Sequence, residues 1–292
     1  MNINFQYLRA FVEVARYQSF TQAAVALHLT QPAISKAVRE LELDLDIRLL
    51  ERTSRQVRLT EAGLALYDQA RSIFALEQVM LEEIKARRGL RRGRLVIGAS
   101  TTIAAYWLPL YLAQFTQQLP DIEVSLMSGN SLTIQHQVLD YQVDIGLVEG
   151  PVSDERLHCQ IWRKERLTLI APAALDIAPD TLDNQCWIVR ESGSGTGEVV
   201  NQFFLEHRFE PRRRIEVGSN MAAIQMVLAG GGICLIPRIM VQSAIAQNQL
   251  QEIPLASGVL ERSLNWVSLK GRPVSLPRQA FEQLCCTPPA RP

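Results

Sequence analysis

Two helix-forming runs separated by a very short turn constrain this chain more than any other feature. The first opens Ser19-Phe20-Thr21-Gln22-Ala23-Ala24, the second Thr30-Gln31-Pro32-Ala33-Ile34-Ser35. Ser19 with Gln22 three positions on has the spacing of a capping box. Ala23, Ala24 and Leu27 make the inward face of the first helix, and the small alanines let a crossing helix come close. Thr30 caps the second helix. Pro32 is tolerated in its first turn because the N–H groups there have no intrahelical partner. Ile34, Val38 and Leu41 recur at i, i+4 and i+7 and face inward, which leaves Gln31, Ser35, Lys36 and Arg39 outside. A preceding helix over 5–17 carries Phe5, Leu8, Phe11, Val12 and Val14 at the same periodicity.

The segment after this pair extends the pattern. Arg48-Leu49-Leu50-Glu51-Arg52 and Gln56-Val57-Arg58-Leu59 are short extended runs around a polar, basic tip, Thr53-Ser54-Arg55. That predicts a β-wing whose tip can reach phosphates or the minor groove; taken alone it is also an ordinary hairpin with a solvated tip. Thr60 then caps a helix running to about Arg88, which would span ~40 Å. Its apolar positions, from Ala62 and Leu64 to Met80, Leu81 and Ile84, exceed what one narrow face needs, so a partner helix is expected to cover the rest. Two glycines among five arginines over 87–94 mark a solvated hinge. A polar helix face beside a basic wing fits entry end-first into a DNA major groove.

Composition agrees without deciding. The chain has 292 residues, enough for two or three domains, with 47% hydrophobic and 21% charged residues. The net charge of +0 hides an asymmetry: residues 1–94 hold 15 basic against 11 acidic side chains, and the remainder 15 against 19. A basic front suits a nucleic-acid head. The five cysteines (Cys159, Cys186, Cys234, Cys285, Cys286) form no CxxC and no zinc spacing, so reduced structural thiols are expected. Neither a signal peptide nor a membrane-length apolar run is present, which predicts a cytoplasmic protein with no membrane partner.

From Leu95 the rhythm changes to strand, polar turn, helix. Strands are expected at 94–99, 122–126, 143–148, 167–170, 187–189, 215–217 and 233–236. Helices are expected at 101–119, from Ser131, and near 196–207 and 219–229. A late strand over 262–269 crosses back to the first lobe before a closing helix near 277–285. Repeating βα units imply a mostly parallel sheet, and a break near 160–165 implies two lobes. The strand-to-helix turns carry Ser100, Thr101 and Thr102; Gly129, Asn130 and Ser131; Glu149; Ser192, Ser194 and Thr196; and Ser219 and Asn220. In open α/β sheets ligands bind where such turns collect, and helix N-termini favour anions. A small anion or carboxylate between the lobes is therefore expected. Singly, each hydroxyl is only a helix cap.

Other chemistries find no support. Gly193-Ser194-Gly195-Thr196-Gly197 follows a strand, but Glu198 stands where a dinucleotide fingerprint needs glycine. His28, His136, His158 and His207 are scattered, with no HExxH and no nucleophile elbow. No cofactor, metal or catalytic residue is expected. The competing reading is a cytoplasmic small-molecule-binding protein, or an α/β enzyme, whose N-terminal helices serve assembly.

The motifs Ser19-Phe20-Thr21-Gln22-Ala23-Ala24, Thr30-Gln31-Pro32-Ala33-Ile34-Ser35, Leu41-Glu42, Leu49-Leu50-Glu51-Arg52 and Leu59-Thr60-Glu61-Ala62-Gly63 together resemble those of LysR-type transcriptional regulators. The resemblance covers essentially the whole chain. It implies a mainly α, winged helix-turn-helix domain over 1–60, a dimerising linker helix over 61–90, and an α/β effector-binding domain over 91–292. That last domain would be two-lobed and periplasmic-binding-protein-like, with lobe one at about 91–162 and 267–292 and lobe two at about 163–266. It also implies double-stranded promoter DNA as partner, a homodimer assembling to a homotetramer, and RNA polymerase as a candidate contact. Carried over by position, Gln31, Pro32, Ser35 and Lys36 would face the major groove, Thr30 and Arg39 the phosphates, and Arg55 the minor groove. Lys36 stands where many relatives carry Arg, which makes a bidentate guanine contact less assured. The effector-domain turns resemble the branch that includes regulators of sulfur and sulfite metabolism. That branch usually carries Arg where this chain has Gly197, so a pocket cation is expected to be missing.

Overall fold

The computed structural model describes residues 3–52, 57–87, 93–175, 177, 179–255 and 258–286. The chain divides into two compact units, Met1–Leu81 and Glu82–Pro292.

In the first unit every helix starts at a hydrogen-bonded cap, at Ser19, Thr30 and Thr60 as predicted and at Asn4 in addition. The Asn4 side chain accepts from the Gln6 and Tyr7 N–H groups at the start of α1 (Phe5–Tyr17). Ser19 accepts from Gln22 at 3.3 Å before α2 (Phe20–Ala26). Thr30 accepts from Ala33 at 3.4 Å before α3 (Gln31–Leu45). His28 turns the chain between α2 and α3 with φ 54°. Leu8, Phe11 and Val14 of α1, Ala23 and Ala24 of α2, and Ile34, Val38 and Leu41 of α3 share one core. Each large side chain there contributes about 1.5–3 kcal/mol over its exposed state.

Glu42 joins this helical core to the wing. Its carboxylate accepts the N–H groups of Leu49 at 2.8 Å and Leu50 at 3.1 Å. β1 (Leu50–Arg52) and β2 (Val57–Leu59) then pair antiparallel, Leu50 opposite Leu59. The predicted wing tip, Thr53, Ser54 and Arg55, lies outside the described residues. Thr60 donates to the Arg48 carbonyl at 2.8 Å and accepts from Gly63 at 2.9 Å, which starts α4 (Glu61–Arg87). Ala70 of α4 is buried in the head's core, whereas Leu64, Ile73, Leu76, Met80, Leu81 and Ile84 are all exposed. The predicted hinge is corrected at its far end: the strand expected from Arg94 already begins at Gly93, and 88–92 lie outside the described residues.

The second unit runs β3 (Gly93–Ser100), a π-helical turn (Ile103–Trp107), α5 (Leu108–Gln118), β4 (Ile122–Gly129), α6 (Ser131–Leu139) and β5 (Ile145–Glu149). The long β6 (Leu157–Pro172) leads to β7 (Cys186–Arg190), α7 (Gly195–Glu206), β8 (Arg213–Val217), α8 (Asn220–Leu228) and β9 (Cys234–Pro237). α9 (Gln242–Ala246), β10 (Leu250–Ile253), β11 (Leu260–Leu269) and α10 (Leu276–Cys286) complete it.

Two expectations are corrected here. The sheet is mixed rather than mostly parallel: β3 pairs parallel with β4 and β5, but β11 pairs antiparallel with β5 and β6, and β6 antiparallel with β9 and β10. The cause is that β6 and β11 each traverse both lobes in opposite directions. Nor does the chain break near 160–165. It stays extended, and the register slips by one residue opposite Leu264 and Asn265, leaving Trp162 as a bulge. Lobe one packs Leu95, Ile97, Tyr111, Phe115, Leu147 and Phe281. Lobe two packs Leu169, Trp187, Phe203, Phe204 and Leu235, with a parallel β7–β8 pair beside them.

Two outcomes follow. A Cβ on Gly63 would stand 2.0 Å from the Leu49 carbonyl oxygen, so Gly63→Ala must push the wing off α4. It should destabilise the head by about 1–3 kcal/mol, read as a lower denaturant midpoint. Burial raises the Cys285 thiol to about 12 and raises Cys234 as well, whereas Cys286 is exposed. At pH 8 an alkylating reagent should therefore modify Cys286 in the folded protein and reach Cys234 and Cys285 only after unfolding, as peptide mass spectrometry would show.

Candidate DNA-reading face and ligand cleft

Two sites emerge, one in each unit. On α3 the buried stripe Ile34, Val38 and Leu41 turns Gln31, Pro32, Lys36 and Arg39 to the surface, with Ser35 half-buried beside them. Thr30 is exposed, but its hydroxyl already serves the helix as cap. The face therefore presents an amide, a hydroxyl and two cations at the N-terminal half of one helix. Those groups can hydrogen-bond base edges and neutralise phosphates. Arg55, assigned to the same function, is outside the described residues.

The second site lies where the strands of the two lobes end. From lobe one come Ser100, Thr101 and Thr102 after β3, Gly129, Asn130 and Ser131 after β4, and Glu149 at the end of β5. From lobe two come Arg190 at the end of β7, Ser194, Gly195 and Thr196 at the start of α7, and Asn220 at the start of α8. They enclose a residual cavity of about 10 Å³, room for one water. Ten of the twelve predicted pocket residues are thus brought together. The other two are not: Ser192 is exposed, and Ser219 serves as the cap of α8, accepting from Ala222 at 3.1 Å.

Several lining groups bridge the lobes. Asn220 donates to the Thr102 hydroxyl at 2.9 Å, and Asn130 to Glu191 at 3.3 Å. The Leu132 N–H donates to the Gly193 carbonyl at 3.0 Å. Gly195 lies against the backbone of Glu149, where a Cβ would be 2.5 Å from the Glu149 carbonyl oxygen. Only glycine allows the lobes to meet this closely. Gly197 is confined as well, its absent Cβ lying 3.0 Å from the Glu191 carbonyl and 3.1 Å from that of Arg190.

The expected lack of a pocket cation is corrected. Arg190 supplies one, donating to Asn220 at 2.5 Å and to Glu191 at 2.7 and 2.9 Å. Beneath the cleft, Arg262 donates to Thr196 at 2.9 Å and pairs with Glu149 at 3.2 Å and Glu165 at 2.6 Å. Arg190, Gly195, Glu165 and Arg262 were absent from the sequence-based set. Arg190 could have been found, since it ends a strand at the ligand side of the sheet. Arg262 could not, because its partners lie on strands far away in sequence.

Burial works to raise the Glu191 carboxyl, but hydrogen bonds and charge from Arg190 outweigh it and hold the group below the usual carboxylate value. A depressed carboxyl stabilises the fold above its unfolded value, and that contribution is lost as pH falls through the folded one. Among the described residues no cluster of His, Cys, Asp and Glu could hold a metal ion, and no helix is long and apolar enough to cross a membrane.

A helix-turn-helix head followed by a two-lobed α/β unit with a polar cleft defines a ligand-responsive DNA-binding regulator. Residues 5–64 match the model of the bacterial regulatory helix-turn-helix protein, lysR family, and residues 88–286 match that of the LysR substrate binding domain. The HTH-type transcriptional regulator YeiE of Escherichia coli K12 is 32% identical over 98% of both chains. CysL of Bacillus subtilis 168 is 28% identical over 90% of each. Among solved structures, full-length OxyR from Pseudomonas aeruginosa superposes with a TM-score of 0.76 at 21% identity, covering 98% of this chain and 94% of that one. The regulatory domain of Synechocystis PCC6803 CcmR, solved in complex with 2-PG, gives 0.62 at 29% identity over 67% of this chain and 96% of that domain. The chain belongs to the LysR family and is a transcriptional regulator with an effector-binding domain.

Two outcomes test the cleft. Gly195→Ala should hold the lobes apart and weaken any ligand-dependent change in promoter affinity, while leaving basal DNA binding within about twofold. Acidification below about pH 4 should lower stability more in the parent than in Glu191→Gln, which has no carboxyl to protonate.

Proposed function

We propose that this regulator binds double-stranded promoter DNA as a homodimer that assembles to a homotetramer, and that a small anion or carboxylate in the cleft sets its activity. Gln31, Pro32, Ser35 and Lys36 read bases, Thr30 and Arg39 meet phosphates, and Arg55 enters the minor groove. About four base-reaching side chains are too few for a specific monomer, so paired heads at fixed spacing supply the specificity. The exposed apolar stripe of α4 supports pairing through that helix, over the linker span 61–90.

The single observation that carries the ligand reading is convergence. Three capped helix starts (α6, α7 and α8), the Ser100–Thr102 turn and the Arg190 guanidinium meet in one cleft. Helix N-termini and hydroxyls together favour an anion. CcmR, whose regulatory domain was solved with 2-PG, supports a ligand of that kind. The protein acts in the cytoplasm without catalysing a reaction, with RNA polymerase as a further contact.

The test is binding to the DNA upstream of the regulator's own gene, at fixed salt. Gln31→Ala with Ser35→Ala should bring specific affinity down by about 10- to 100-fold, towards the random-sequence value. Arg39→Ala should lower affinity for all sequences alike and flatten the salt dependence. Equal affinity of the parent for promoter and random DNA would sink the reading.

A further inference from the structure

Arg262 is shared unequally between two buried carboxylates. Its Nε and Nη2 donate to one oxygen of Glu165 at 2.8 and 2.6 Å, but Nη2 reaches Glu149 only at 3.2 Å. Its Nη1 is taken by the Thr196 hydroxyl at 2.9 Å. The other oxygen of Glu165 accepts the indole N–H of Trp107 at 2.8 Å. Glu165 is thus the true partner of Arg262, and Trp107 fixes it in that orientation. The side chains of Arg262, Glu165 and Glu149 are only 2%, 2% and 4% exposed.

Two carboxylates facing one guanidinium leave one negative charge without a counterion. The longer contact assigns it to Glu149, the member of the three that lines the cleft. Arg190 does not offset it, because its guanidinium is engaged by Glu191 and Asn220. A carboxylate has roughly four acceptor positions. Glu149 accepts from Arg262 and, at 2.9 Å, from the Ser131 hydroxyl, so acceptor capacity remains. An under-compensated buried charge is strongly unfavourable unless something donates to it.

The closed cleft therefore has two opposite demands. The α7 and α8 starts favour negative charge, while Glu149 requires a donor. From this geometry we propose that Glu149 determines effector specificity, and that the effector is a small acid carrying a hydroxyl or ammonium beside its acid group. Its acid group lies at the helix starts and its donor on Glu149. This rests on the cleft being the effector site and adds the ligand class. A bare inorganic anion or a simple carboxylate satisfies only one demand. Because the closed cavity holds about one water, the lobes must part to admit such a ligand and re-close on it.

The test uses the full-length protein with four probes: acetate, sulfate, glycolate and glycine. Acetate differs from glycolate by a hydroxyl and from glycine by an ammonium. Calorimetric titration should show glycolate or glycine binding roughly tenfold tighter than acetate and sulfate. Glu149→Gln should bring that ratio near one, whereas Glu206→Gln, which removes an exposed carboxylate at the far end of α7, should preserve it. If Glu149→Gln fails to fold, the parent ratio decides alone. Acetate or sulfate binding as tightly as both donors would overturn the proposal, as would a preference that survives Glu149→Gln. Failure of all four probes would also overturn it. Promoter affinity of the same preparation, measured without probes, separates that failure from failure of the regulator reading.

Discussion

The antiparallel pairing of β6 with β11 is the constraint on which the ligand-binding unit depends. These two strands carry the chain across both lobes, from Leu260 opposite Leu167 to Leu269 opposite Leu157. Arg262 and Glu165 are direct cross-strand partners in this ladder, so the buried ion pair and the backbone register enforce each other. Through Thr196 the pair reaches α7 in lobe two, and through Trp107 it reaches the π-helical turn that follows Thr102 in lobe one. Wider α-helical turns often mark functional positions. Here one holds a tryptophan over the crossover and two threonines at the cleft. Both walls of the cleft are therefore referenced to the same pair of side chains.

The head is organised on a different principle. Its three helices are short, and helices of such length hold little stability of their own. Hydrogen-bonded caps set where they start, and tertiary burial does the rest. Glu42 shows this at the junction: one carboxylate near the end of α3 receives two backbone N–H groups beside the wing. The orientation of wing to helix is thus fixed by a backbone-directed contact rather than by side-chain packing alone.

Local signals in the sequence were transmitted faithfully. Ser19, Thr30, Thr60, Asn130, Ser194 and Ser219 all sit at helix starts, because capping depends on residues within three or four positions. Strand positions and most of the cleft lining were legible for the same reason. What was not legible is non-local. Nothing near Glu165 or Arg262 announces that they meet, and a charge in an alternating strand reads as solvent-facing until the sheet order is known. The bulge at Trp162 looked like a chain break because its polar and aromatic neighbours interrupt the alternation expected of a strand. Gly197 suggested a missing cation, yet a cation arrives from Arg190, seven positions upstream and across a turn. Ser192 and Ser219 were of the right type in the right turns, but side-chain direction put one outside and the other on its helix.

The same two-strand crossing has a mechanical consequence. Between Leu264, where β5 leaves β11, and Leu167, where β9 joins β6, the sheet is only two strands wide. Arg262 and Glu165 stand opposite each other on that stretch. Trp162 flanks it on the lobe-one side, with its indole N–H on the Cys285 carbonyl at 3.1 Å and its ring against Trp107, Tyr111 and Trp266. The narrowest span of the sheet is therefore the one stiffened by a buried ion pair, and any bending of lobe against lobe must work against it.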